Sequence, residues 1–195
     1  MSDPVAMASA LVHAEYHMFQ LADDEQHDQP AFRPENGLIF SKPGLAVVLV
    51  GINSGVVNTT VEVYRHPVGR LDTDEWDEVV DHSIESISGQ MRVTVLMDDP
   101  PELPTLTPFG PGPYRVRVHA RGRDRSTDGH VSEPVEDYLL QIWPGRHEPD
   151  AVHKQTDRTG ALFRRAADQP VEMPSSPPED DWERKARARL RRHGN

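Results

Sequence analysis

Cysteine is absent from the sequence, which removes disulfide frameworks, thiolate metal sites and cysteine nucleophiles together. Lysine is nearly absent. It stands only at Lys42, Lys154 and Lys185, so 18 of the 21 basic residues are arginine. Long apolar runs are missing as well: the longest, residues 45–50, is far short of the roughly 20 residues that cross a bilayer. Residues 1–10 hold no basic run followed by an apolar core, which argues against a secretory signal. There is no Walker loop, no glycine-rich dinucleotide fingerprint, no HExxH and no G-x-S-x-G elbow. These gaps predict a cytoplasmic chain with no cofactor and no membrane span, and they put binding proteins ahead of enzymes.

What is present is acid and extended-chain patterning. The 195 residues carry a formal net charge of −11. Residues 1–104 hold 18 acidic and 5 basic side chains, whereas residues 105–195 hold 14 and 16. A strongly negative half repels phosphate backbones, so specific nucleic-acid binding is disfavoured and a basic protein partner is favoured. The plainer account is that the acid keeps the protein soluble.

Period-2 alternation and β-branched residues dominate up to about residue 146. Eight strands are predicted, at residues 12–21, 37–40, 45–51, 56–65, 78–87, 91–97, 114–121 and 135–143. Lys42-Pro43-Gly44 and Asn53-Ser54-Gly55 punctuate them as turns, and Ser88-Gly89-Gln90 reads as a hairpin connection. Six prolines between residues 100 and 113 make a stiff crossing. The expected fold is all-β: an antiparallel β-sandwich, jelly-roll-like, over residues 11–146. Residues 147–195 read as a polar linker and disordered tail, in which Leu162 and Phe163 dock one helical turn. Acid at 179–183 followed by six basic residues up to Arg192 matches the helix dipole, predicting a short terminal helix.

Three constellations are candidates for chemistry. Along 114–124 the residues Arg115, Arg117, His119, Arg121 and Arg123 share one strand face, while Tyr114, Val116, Val118 and Ala120 share the other. Arginine pairs bidentately with carboxylate or phosphate, so this ladder reads as an anion site or as internal cross-strand pairing. Pairing is preferred, because like charges along one strand repel. In the second, Asp72, Asp74, Glu75, Asp77, Glu78 and Asp81 surround Trp76, which reads as an anchor for a basic partner or as a solvated loop. The third is His13, Glu15 and His17, which would share a strand face and could hold a metal jointly. The remaining ligands of such a site are not assignable, so no metal is expected.

The block at 112–124, with Glu136-Asp137-Tyr138-Leu139-Leu140-Gln141-Ile142-Trp143-Pro144 after it, resembles a group of uncharacterised actinobacterial β-sandwich proteins. It is more distantly similar to the competence protein J family, which inhibits a DNA-entry nuclease. The resemblance implies a small acidic protein that occupies the nuclease's DNA site. The expectation is therefore an acidic, non-enzymatic binding protein, inhibitor- or antitoxin-like towards a basic protein such as a nuclease. A jelly-roll small-ligand-binding protein or metalloenzyme is the alternative.

Overall fold

A computed structural model of the chain describes residues 3–23, 31, 33–95 and 100–167. Its strands are β1 (Ala6–Glu15), β2 (Met18–Ala22), β3 (Ile39–Lys42), β4 (Leu45–Leu49), β5 (Ser54–Val63), β6 (Glu78–Ser86), β7 (Arg92–Thr94), β8 (Gly112–Arg121), β9 (His130–Val131), β10 (Asp137–Pro144) and β11 (Ala151–Gln155). One helix, α1 (Arg158–Ala167), follows them. The β content expected from alternation is present. The architecture is not the expected one: the strands form one curled, mixed sheet in the order β11-β6-β8-β10-β5-β1-β2-β4-β3, with β7 beside β2 and β9 beside β5. It is a half-barrel rather than a clear two-sheet sandwich, and its pairing is mixed rather than purely antiparallel. Strand β10 runs parallel to β5, with Asp137 opposite Asn58 and Ile142 opposite Val63. Side-chain alternation is the same in either direction, so parallel pairing leaves no trace in the pattern.

Residues 12–21, expected as one strand, are two. Tyr16 and His17 take positive φ angles of 53° and 63°, and Glu15 faces Met18 across them. This is the two-residue turn whose twist suits a hairpin. It is built here from residues that usually avoid that region, which is why no turn signal is visible. Beyond the corner, β2, β4, β3 and β7 close over the other limb. Val12, Phe19, Leu21, Val48, Val57, Val80, Val118 and Leu140 then share a single core. Phe19 meets Tyr138 edge to face, with ring centres 5.5 Å apart.

The hairpin expected at 88–90 also does not form. Strand β6 pairs with β8 and β11, and β7 pairs with β2. The buried Asp23 carboxylate explains the diversion: it accepts from Ser86 Oγ, Ile87 N and Ser88 Oγ, which steers the chain from one limb to the other.

The apolar run 45–50 is covered on both sides. Ala46 and Val48 enter the main core, while Val47 and Leu49 meet Phe40, Met18 and Phe163 of α1. The sheet and helix therefore extend into the stretch read as linker, through β11 and α1. Phe163 docks as expected, whereas Leu162 is 55% exposed. The terminal helix expected beyond residue 179 lies outside the described residues, as do residues 96 and 97 at the end of the sixth predicted strand.

Helix α1 is fastened at its start. Asp157 Oδ1 accepts from Gly160 N at 2.7 Å, and Asp124 accepts from Arg158 N and Thr159 N, both at 2.9 Å. Burial pushes the Asp124 carboxyl up, but these donors and the Thr159 hydroxyl outweigh it and hold the group down at about 2. A carboxyl depressed on folding stabilises the protein above its unfolded value and loses that contribution as pH falls. Asp124→Ala is therefore expected to cost about 1–2 kcal/mol at pH 7. Urea unfolding should show the gap to wild type narrowing as the pH drops from about 5 to 3; a gap that stays constant with pH would contradict this account.

Candidate functional site

Alternate residues of β8 point to the outer face of the larger limb, and that face collects Arg115, Arg117, His119 and Arg121; Arg123, expected with them, lies past the end of the strand and turns inward, fully buried. Arg117 and Arg121 are paired with acids there, while Arg115 is held by neutral acceptors. Arg117 grips Asp81 bidentately, with Nε to Oδ1 at 2.6 Å and Nη2 to Oδ2 at 3.0 Å. Arg121 Nε donates to Asp137 at 2.8 Å, and its Nη1 reaches Glu75 at 3.5 Å. Arg115 is buried, donating from Nη1 to Ser83 Oγ at 2.6 Å and to the Glu148 carbonyl at 2.8 Å. Arg115 and Arg117 therefore have their donors engaged internally. Asp81 is held below the usual carboxylate range. Its burial raises the group, and the bond and charge of Arg117, with His153 behind, outweigh that.

Trp76 sits at the centre of this face. Its ring lies 5.2 Å from that of His119, and the Arg121 guanidinium stands over it at 5.1 Å. Burial pushes the His119 imidazole down to about 4, so it is neutral at physiological pH and packs as an aromatic. Asp72 pairs with the exposed Arg70 at 3.3 Å, Glu75 is 81% exposed, and Asp74 is exposed. Asp77 accepts from Gly122 N at 2.9 Å. Glu78 does not join this surface. It is fully buried on the inner face, where it accepts from Asp157 N at 3.2 Å and meets Arg164 Nη1 at 3.2 Å.

Three adjoining hollows ring Trp76 and Arg121, with volumes of about 560, 280 and 640 Å³. Glu62, Trp76 and Leu139 are shared by the first two, Arg121 and Asp137 by the last two. Their charged lining is predominantly carboxylate: Asp3, Glu62, Asp72, Glu75, Asp77, Asp124, Asp137 and Asp157 against Arg70, Arg121 and Arg125. Together they form an acidic furrow floored by His119, Leu139 and Gln141.

The metal alternative fails geometrically. The turn at Tyr16 takes His17 off the face of His13 and Glu15 and sends its Nε2 to Asp128 at 3.2 Å. Among the described residues no group of three His, Asp or Glu side chains is placed to hold a metal ion, and no helix is long and apolar enough to cross a membrane.

A further cavity, of about 770 Å³, lies elsewhere, between β3, β6 and the connection at residues 145–150. Ser41 Oγ stands 2.8 Å from His82 Nε2, and His82 Nδ1 stands 2.6 Å from Asp150 Oδ1. Asn36 fixes the carboxylate in turn. Its Oδ1 accepts from Leu38 N and Ile39 N, which aims Nδ2 at Asp150 Oδ2, 2.6 Å away. Burial of Asp150 raises its carboxyl, yet the bonds from His82 and Asn36 carry it below the ordinary range. None of these residues stands out in the sequence, because Ser41 is 41 positions from His82 and His82 is 68 from Asp150. No local motif joins them.

No protein-family model matches the chain, and no curated protein does. Among solved structures, one described as crocagin biosynthetic gene J aligns with 73% of this chain and 100% of its own, at 15% identity and a TM-score of 0.45. That likeness is too distant to bear on activity. It also corrects the resemblance read at 112–144: the match is to this protein rather than to the competence protein J family or to actinobacterial sandwich proteins.

Proposed function

We propose that the chain is a binding protein whose acidic furrow receives a basic segment of a partner protein. The observation that supports this most is the excess of carboxylates around the hollows at Trp76, with Glu75 and Asp74 both exposed to solvent. Arginine side chains of a partner fit such a furrow, since they pair with carboxylates and stack on indole. Much of the acid and base on this face is already paired internally. The steering field therefore comes from the unpaired surplus, and binding is sensitive to ionic strength.

Fluorescence anisotropy of a labelled arginine-rich peptide tests the reading. Affinity is expected to fall tenfold or more between about 50 and 500 mM salt. Asp72→Asn with Glu75→Gln is expected to weaken binding roughly three- to tenfold, as removal of exposed pairs does. A peptide bound no better than an acidic control, or bound equally at both salt concentrations, rules the furrow out.

A further inference from the structure

The cleft beside β3 holds a relay that neither the core nor the furrow requires. His82 leaves β6 on the face opposite Asp81, towards the second limb. Asp150 fixes its tautomer: a carboxylate only accepts, so the proton on Nδ1 is held by the 2.6 Å contact and Nε2 presents its lone pair to Ser41 Oγ. The Ser41 hydroxyl has one other acceptor, the Ser83 carbonyl, at 3.2 Å. The imidazole contact, at 2.8 Å, is the shorter. Nucleophile, base and orienting acid thus stand in hydrogen-bond reach in the order a hydroxyl nucleophile needs. The side chains of His82 and Asp150 remain 14% and 32% exposed, so the relay opens into the cavity.

We propose that Ser41, His82 and Asp150 form an acyl-transfer site that hydrolyses carboxylic esters with short acyl chains. Ile39, Phe40 and Val152 supply the apolar lining for the acyl group, and Arg33 and Lys42 bring positive charge to the same cavity. Ser41 Oγ adds to the ester carbonyl carbon as its proton passes to His82 Nε2, and Asp150 stabilises the imidazolium. The carbonyl oxygen carries the negative charge of the tetrahedral intermediate, and Arg33 and Lys42 are the lining cations available to meet it. Collapse breaks the bond to the leaving alcohol oxygen, which takes the proton from Nε2. Water then gives a proton to Nε2 and adds to the acyl-serine. The second collapse releases the carboxylic acid and restores the Ser41 hydroxyl. The reaction consumes one water per ester and moves no electrons between redox partners.

The site is tested on the full chain with a fluorophosphonate probe, read by intact mass and peptide mapping, and with p-nitrophenyl butyrate. One probe equivalent on Ser41 and ester hydrolysis above buffer are expected. Ser41→Ala should abolish both, and Asp150→Asn should slow both by about 10²–10⁴-fold by releasing the His82 tautomer. Thermal melts of each variant show whether it is folded. An unlabelled Ser41 in the wild-type protein overturns the proposal by itself, whatever the variants do. So does hydrolysis that survives Ser41→Ala. In either case the relay is a strut between β3 and β6, visible only as a lower melting temperature in the variants.

Discussion

Arg123→Met is expected to lower the unfolding free energy by about 3–5 kcal/mol at pH 7. The guanidinium is completely buried. Its Nε and Nη2 clasp the two oxygens of Asp157 at 2.6 and 2.9 Å, and Nη1 donates to the carbonyls of Gly37 and Leu49 at 3.0 and 3.3 Å. Taking out the cation strips the Gly37 carbonyl of its guanidinium donor, leaves the Leu49 carbonyl to the Tyr138 hydroxyl alone, and leaves the buried Asp157 charge held only by Gly160 N; an uncompensated buried charge is far costlier than a missing pair. The ion pair as a whole is worth much less. Arg123→Met combined with Asp157→Asn should therefore recover part of the loss, because asparagine is uncharged and can still cap α1. Urea unfolding of the two single variants and the double variant measures the coupling. Strictly additive losses would mean that Arg123 acts by packing alone.

Glu78 gives the second large effect, and its sign is unusual for an acid. Burial first, and then the nearby Asp157 carboxylate, push it up from 4.5 to about 7, against the pull of Arg123 and Arg164. A group whose value is raised on folding contributes stability fully below its unfolded value and loses it as pH rises through the folded one. The wild-type protein should thus lose on the order of 3 kcal/mol from this group between about pH 4.5 and 8. Glu78→Gln copies the protonated form, so its stability relative to wild type should climb across the same window. Denaturant melts at pH 5 and pH 8 compare the two proteins. A difference unchanged by pH would show that Glu78 is ionised throughout.

How much of this is written in the sequence depends on whether the information is local. Alternation identified β5 and β10, because one side of each is buried, and β8, because its apolar residues face the core while its arginines and His119 occupy the other face. The run 45–50 is apolar throughout because both of its faces are covered, one of them by Phe163 of α1. Strand β11 was missed: only Ala151 and Val152 of its five residues are apolar, and it lies on the sheet edge against β6. The hairpin at Tyr16–His17 is hidden because its positive φ angles fall on tyrosine and histidine, not on glycine or asparagine. Cross-strand pairing of the β8 arginines could be anticipated from charge repulsion, but which carboxylate each would find could not. Glu78 shows the limit most plainly. It continues an acidic run in the sequence, yet strand alternation turns it inward while Asp77 stays at the surface. The Ser41–His82–Asp150 relay exists only through tertiary contact between limbs.

The parallel pairing of β5 with β10 sets the order in which the protein can be assembled. Asn58 and Asp137, joined side chain to side chain at 2.8 Å, are 79 residues apart. As the chain leaves the ribosome, β1 and β5 can zip together early, since they are antiparallel neighbours. The far side of β5 then offers its unpaired amides and carbonyls to any passing strand until residue 144 has emerged. At translation rates of roughly 5–20 residues per second, that exposed edge lasts about 4–16 seconds on every nascent chain. Conditions that slow elongation through residues 64–144 would lengthen it and favour aggregation over folding.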